Sequence, residues 1–221
     1  MRGDRLVREL VSDPADAGSL SGRARERRWL ELCRRFPDLA DMRVLDLGGT
    51  AHAWRCAPVR PAQVVTLNLE VAAAPDEPWL RAVAGDACDP PAELRNERFD
   101  LVYSNSVLEH VGGHARRTAL ADTVHAAADR HWVQTPYRYF PVEPHWLVPG
   151  FQFLPLPARM ALSRRWRFGH IRSADPVAAL HDVSWVELIG ITEMRGYFPA
   201  SEIWRERFAG LTKSLVAVNS G

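Results

Sequence analysis

The sequence predicts a three-layer α/β fold: a seven-stranded, mostly parallel sheet with an antiparallel last strand and helices on both faces. Three observations predict it. Five short apolar runs, β-branched or aromatic in character, alternate with helical or irregular stretches between Arg43 and Thr135. Between the last two of them, His114 to Asp129 carries Ala119, Leu120, Val124 and Ala127 along one helical face, as a crossover between parallel strands requires. Two further runs near the end of the sequence are joined through Gly210, closely enough to pair antiparallel.

Each element has its own signal. Residues 1–18 are polar, with Asp13-Pro14 and Gly18 as breakers, and read as a loose arm or short helix. From Ser21 to Phe36, Trp29, Leu32, Cys33 and Phe36 recur at helical spacing while Arg25, Arg28, Arg34 and Arg35 take the other positions. Pro37 ends that amphipathic helix, which spans about 19–37. The five runs are Arg43–Leu47, Gln63–Leu69, Leu80–Ala84, Phe99–Ser104 and His131–Thr135, and together they make a core over 43–135.

After Thr135 the character changes. Pro136 to Pro157 holds six prolines interleaved with Tyr137, Tyr139, Phe140, Trp146, Phe151 and Phe153, too proline-rich for a core strand or a long helix. Apolar aromatics in irregular chain must pack on something, so 136–172 reads as a structured lid over a pocket. Its arginine-rich second half, Ala158 to Arg172, reads as a solvated helix face. Ser184 and Glu187 fit a capping box before a helix running to about Arg195, and 173–221 becomes a helix followed by the hairpin of Ser201–Arg205 and Leu211–Val218.

Composition narrows the function. At 221 residues, 47% hydrophobic and 25% charged, the chain fits one globular domain. Its 28 basic and 27 acidic residues leave a net charge of +1, which argues against nucleic acid or a membrane surface as the main partner. Cys33, Cys56 and Cys88 lack any C-x-x-C spacing, so neither a disulfide framework nor a thiolate metal site is expected, and a reducing cytoplasm fits. No uncharged stretch is long enough to span a bilayer, and no apolar run comes after the first residues as in a secretory signal.

The chemistry concentrates at strand ends. Val44-Leu45-Asp46-Leu47-Gly48-Gly49-Thr50 runs an apolar strand into a glycine turn, where backbone N–H groups can approach a ligand and the acid can hold a ligand ammonium or order the loop. The G-x-G-x-x-G spacing of dinucleotide enzymes is absent. Asn68, with Leu69 beside it, ends the second strand, near where such folds place a side chain on ribose hydroxyls, and Glu70 offers a second reach. Gly85-Asp86-Ala87 closes the third strand; Asp86 reads either as a ligand contact or as a turn residue. Phe99-Asp100-Leu101-Val102-Tyr103-Ser104-Asn105-Ser106-Val107-Leu108-Glu109-His110-Val111 spans the fourth strand and the next helix start. There Glu109 serves chemistry or, through Ser106-x-x-Glu109, a helix cap, and His110 serves chemistry or packing.

This ordered set, from about Arg43 to Thr135, resembles the class I S-adenosylmethionine-dependent methyltransferase family, and the final hairpin agrees. The resemblance implies a Rossmann-like sheet. It implies that Asp46, Gly48 and Gly49 cradle the methionine part of the cofactor, with Thr50 standing where the family usually has glycine. It further implies that Asn68, in place of the family's acid, meets the ribose, that Asp86 and Ala87 meet adenine, and that Ser104, Asn105 and Ser106 line the transfer site. The tail around Phe198-Pro199, Glu202-Ile203-Trp204 and Gly210-Leu211-Thr212-Lys213 resembles small bacterial methyltransferases of polysaccharide and natural-product pathways. An O-methylated sugar or related metabolite is implied by that resemblance alone. The alternatives are carbon or nitrogen methylation of a lipid or isoprenoid, and a non-catalytic partner subunit.

The lid comes directly after the fifth strand, at whose C-terminal end open α/β sheets place ligands. Tyr137, Arg138, Tyr139 and Trp146 are therefore candidate acceptor contacts, and Glu143 and His145 candidate catalytic groups against an ordinary loop salt bridge. A hydroxyl acceptor must shed its proton as it attacks the sulfonium methyl, so His145 is the expected base with Glu143 orienting it. No metal ligand is assigned; the Glu143–His145 pair could alternatively hold Mg2+ against a sugar diol, as in some members of the family. The expected partner is a small molecule or oligosaccharide, and the sequence leaves a homodimer open.

Overall fold

The structure, a computed structural model, describes residues 20–71, 75–166 and 169–221. The polar arm at 1–18 lies outside the described residues. The elements are α1 (Leu20–Arg35), β1 (Arg43–Leu47), α2 (Ala51–Arg55), β2 (Gln63–Asn68), β3 (Leu80–Ala84), α3 (Ala92–Arg95), β4 (Leu101–Asn105), α4 (Gly113–Ala127) and β5 (His131–Pro136). Then come β6 (Val142–Glu143), β7 (Val148–Pro149), α5 (Leu156–Arg165), α6 (Pro176–Trp185), α7 (Ile191–Tyr197), β8 (Glu202–Phe208) and β9 (Leu211–Asn219).

Seven strands form one sheet in the order β3-β2-β1-β4-β5-β9-β8. β1 to β5 are parallel to one another, while β9 runs antiparallel to both β5 and β8. The reversal of strand order between β1 and β4 is where such sheets open a crevice at their C-terminal edge.

Strand side chains alternate between faces, and each face has its own core. Leu45, Leu47, Val65, Leu67, Val102 and Val133 pack with Leu120 and Val124 of α4, Met194 of α7, and Phe198 just beyond it. Val44, Val64, Leu101 and Trp132 pack on the other side with Leu32 of α1, Phe36 after it, and Trp54 of α2. Helices therefore cover both faces, as the apolar periodicity of 21–36 and 114–129 requires.

A third cluster builds the lid. Trp146, Val148 and Phe151 pack against Val183, Val186 and Leu188, with Met160 and Leu162 of α5 partly buried beside them. The prolines permit only the two-residue ribbon β6–β7, in which Glu143 pairs with Val148.

One local reading is corrected. Ser184 lies inside α6 and Glu187 in the connection after it, so they form no capping box. The helix start is at Gly190, whose N–H donates to Glu193 Oε2 at 2.7 Å. Glu187 instead stitches the connection to the sheet: its N–H donates to the Glu109 carbonyl at 2.9 Å and its carboxylate takes the Arg117 guanidinium of α4.

Candidate active site

At the tip of β1 the chain turns through Gly48, whose φ of +79° suits glycine. A β-carbon there would lie 2.3 Å from Val107 Cγ2, and one at Gly49 would lie 1.6 Å from Asp46 Oδ2. Only hydrogens fit between the turn and its two neighbours. Asp46 is buried at 2% exposure, its Oδ2 accepting from Trp54 Nε1 at 2.7 Å while Oδ1 has no partner. Burial pushes its pKa up to about 7, with the Trp54 hydrogen bond pulling the other way. Thr50 caps α2, its hydroxyl accepting from the Ala53 N–H at 3.4 Å.

Asn68 braces this turn from β2. Its Nδ2 donates to the carbonyls of Gly48 at 3.2 Å and Gly49 at 3.4 Å, and its Oδ1 accepts from the Leu69 N–H at 2.9 Å. Asn68 thus has a structural role in the turn that a carboxylate cannot fill, having no N–H to donate. Leu69 and Glu70 beyond it are exposed.

Asp86 is placed as a turn residue. Its Oδ1 accepts from the Cys88 N–H at 2.9 Å, closing the turn, and Arg116 Nη2 of α4 reaches both carboxylate oxygens at 2.8 and 2.6 Å. Burial would raise its pKa, but Arg116 and the Cys88 N–H outweigh it and hold it below the ordinary carboxylate value. Ala87 packs partly buried against the α4-side core. Ser104 is fully buried and its hydroxyl donates to the Leu47 carbonyl at 3.2 Å, a brace between β4 and β1. Asn105 at the tip of β4 accepts from Arg28 Nη1 of α1 at 2.8 Å.

Beyond Asn105 the chain bends sharply at Ser106, a non-glycine residue with φ of 58°. Gln134 of β5 holds the bend, accepting from the Ser106 N–H at 3.0 Å and from its hydroxyl at 2.9 Å. The bend turns Glu109 inward. The capping alternative for Glu109 fails, because α4 begins only at Gly113 and Glu109 is fully buried. Its Oε2 accepts from Thr135 Oγ1 at 2.9 Å, while Oε1 has no hydrogen-bond partner among the described residues. Burial raises its pKa to about 7.

The lid completes the cluster. Glu143 is buried, its Oε2 accepting from the backbone N–H of His145 at 2.7 Å and of Trp146 at 2.8 Å. Its Oε1 takes His145 Nδ1 at 2.7 Å, which fixes that nitrogen as the donor. His145 Nε2 then meets His110 Nε2 at 3.2 Å, the rings crossing at 87°. Burial disfavours the imidazolium of His145, but the hydrogen bond and charge of Glu143, with the charge of Glu109, hold its pKa above the ordinary value. Burial, then the charge of His145, pushes that of His110 down to about 4. Among the described residues, Glu109, His110 and His145 form a group whose ligand atoms all lie within 4.8 Å of one another. Both Glu143 oxygens are thus engaged within the lid, Oε2 by two backbone N–H groups and Oε1 by His145.

The expected acceptor contacts divide. Arg138 is tied down, its Nε donating to the Leu188 carbonyl at 2.7 Å and its Nη1 lying 3.0 Å from Glu193 Oε2. Trp146 is 2% exposed and stacked on Phe151 at 4.5 Å, a core residue of the lid. Both nonetheless edge a cavity of about 360 Å³ that Glu143, Gln152 and Arg159 also line. Tyr137 packs edge-on to Tyr139 at 5.5 Å, and the exposed Tyr139 stacks on Phe153 at 6.0 Å. Sequence reasoning did not single out Trp54, Gln134 or Thr135 as partners of Asp46, Ser106 and Glu109; their positions on the next helix and at the next strand's tip were the available signal.

No protein-family model matches the chain, and no curated protein matches it. Solved structures do. One is an S-adenosylmethionine-dependent methyltransferase from Mesorhizobium loti, at 17% identity over 86% of this chain and 96% of that one, with a TM-score of 0.53. Another is the N-terminal domain of EvdMO1 with SAH bound, at 17% identity over 98% and 93%, TM-score 0.51. A third is magnesium protoporphyrin IX methyltransferase from Synechocystis PCC 6803 with bound SAH, at 12% identity over 98% and 94%, TM-score 0.51. These likenesses show the fold, which is that of the class I S-adenosylmethionine-dependent methyltransferases. No helix among the described residues is long and apolar enough to cross a membrane.

Proposed function

We propose that this chain, built on the methyltransferase fold, is an S-adenosylmethionine-dependent O-methyltransferase acting on a hydroxyl of a sugar or related small metabolite. The observation that carries the reading is the meeting of the buried Glu109 and Glu143 with the half-buried His110 and His145 beyond the end of β4. A sulfonium methyl needs little activation from the protein, and neither does a free amine. A hydroxyl does, because it becomes a good nucleophile only as its proton leaves, and a carboxylate–imidazole cluster supplies that activation.

The fold supports the cofactor's position. Its methionine part would lie over the turn at Gly48 and Gly49, with the unpaired Oδ1 of Asp46 beneath it. With Asn68 committed to the turn, Glu70 would take the ribose, and Leu69 would flank the adenine near Asp86 and Ala87. Asn105, Tyr137 and Tyr139 would face the acceptor. Transfer forms the O–CH3 bond as the C–S bond breaks, and sulfur keeps the electron pair, giving neutral SAH.

Incubating the protein with methyl-labelled S-adenosylmethionine and separate monosaccharide, oligosaccharide, lipid and amine fractions tests this. The expected label is an alkali-stable methyl ether on a sugar-type hydroxyl. Label confined to amines overturns O-methylation, label confined to lipids overturns the sugar-type acceptor, and no label anywhere, with no binding of SAH, overturns the methyltransferase reading itself.

A further inference from the structure

Glu109, His110 and His145 come from two separate parts of the chain, the bend after β4 and the lid, yet bring three donor atoms to one point. We propose that they bind a divalent transition-metal cation of the Zn2+ or Mn2+ class, with Glu143 as the carboxylate that orients His145.

Geometry is the first argument. An ion bonded at roughly 2.0–2.2 Å holds neighbouring ligand atoms roughly 3.0–3.5 Å apart. The two imidazole Nε2 atoms stand at 3.2 Å, and Glu109 Oε1 is 4.0 Å from His110 Nε2. An approach of roughly 1 Å by the Glu109 carboxylate completes the set. Glu109 itself is the second argument: fully buried, with Oε1 unpartnered and aimed at the histidines. A buried carboxylate oxygen without a donor is costly, and a cation at this point removes the cost.

Glu143 supplies the third. Metal-bound imidazoles characteristically donate their far N–H to a carboxylate, which fixes the tautomer and the ring. His145 Nδ1 does so to Glu143, itself clamped by two backbone N–H groups, leaving the Nε2 lone pair directed at the cluster. Two imidazoles and one carboxylate suit Zn2+, Mn2+ or Fe2+ and do not suit Mg2+ or Ca2+, which take mostly oxygen ligands.

Three protein ligands leave coordination open, the arrangement of catalytic and not structural sites. The role given to the ion rests on the methyl-transfer reading, although the site does not. There the ion would take over from a free imidazole base: it would lower the pKa of an acceptor hydroxyl at the open position, whose proton would pass to solvent as the O–CH3 bond forms and the C–S bond breaks.

The test measures metal directly. Purified chain, stripped with chelator and free of cofactor, is titrated with Zn2+ and Mn2+ by calorimetry and with Co2+ by ligand-field absorption, with Mg2+ as competitor. The expected result is a single saturable equivalent that Mg2+ does not displace. His110→Ala and His145→Ala should each weaken binding more than about tenfold, and Glu143→Gln by about 10- to 100-fold. His181→Ala, an exposed imidazole outside the cluster, should change nothing. Where His110→Ala fails to fold, the wild-type titration and His145→Ala on the lid decide. No saturable binding by the wild type, or equal binding by the folded variants, overturns the proposal. Metal binding with neither methyl transfer nor SAH binding keeps the site and overturns the function; transfer at full rate by metal-free protein keeps the function and overturns the ion's part in it.

Discussion

The carboxylate of Asp46 occupies the space that a side chain at Gly49 would need, so closely that a β-carbon there would sit 1.6 Å from Oδ2. Neither partner can yield easily, because Asp46 is enclosed and held by Trp54. Gly49→Ala is therefore expected to displace the carboxylate and cost about 1–3 kcal/mol of stability, the range of overpacking in a dense site. Urea denaturation measures the loss and calorimetry with SAH the accompanying fall in affinity; wild-type values for both would show that the turn has room to spare.

Asp46 should also set a pH dependence. Its folded pKa, raised by burial to about 7, lies above the ordinary value of 3.8. For a raised carboxylate the stabilisation is fully present below about pH 4 and is lost as pH climbs toward 7, on the order of 4 kcal/mol in all. Asp46→Asn, neutral throughout, should flatten that part of the stability curve. A cofactor ammonium above Asp46 favours the ionised form, so SAH should bind more tightly as pH rises from about 6 to about 7 in the wild type and not in Asp46→Asn. Parallel curves for the two proteins would remove Asp46 from the cofactor seat.

Asn68→Asp puts an acid at the end of β2 and should weaken this protein. The amide donates to two carbonyls of the glycine turn, and a carboxylate would set charge against both. A loss of about 1–3 kcal/mol in stability is expected, together with weaker SAH binding. Tighter SAH binding by the variant would instead restore the ribose role.

Glu143→Gln separates orientation from cofactor binding. Its carboxylate holds His145 through Nδ1 and is remote in sequence from the glycine turn. Turnover should fall by about 10- to 100-fold with SAH affinity unchanged. A matching fall in SAH affinity would assign Glu143 to the general integrity of the fold.

The sheet was legible because its signal is repetitive: apolar residues at 43–47, 63–68 and 131–136 leave each strand two faces to cover, and α1 and α4 carry the matching stripes. The pairing of Glu143 with His145 was legible too, as the candidate orienting contact or the loop salt bridge, in a segment too proline-rich for a core strand yet with aromatics that must pack. Side-chain destinations were not. Ser106-x-x-Glu109 and Ser184-x-x-Glu187 both satisfy a capping pattern, but one is bent inward by a left-handed Ser106 and the other straddles a helix end. Arg138 commits its guanidinium to Glu193, and Asn68 its amide to the turn, choices made by neighbours distant along the chain.

The lid has a hydrophobic centre of its own, joining Trp146 and Phe151 to Val183 and Leu188. One consequence is modular: this centre is built from the lid's own side chains, while Tyr137 and Glu187 tie its two ends to β9 and to the bend at Glu109. On the function proposed above, natural variation or deliberate grafting between those two ties would re-address the molecule to a new recipient while the glycine turn stays as it is.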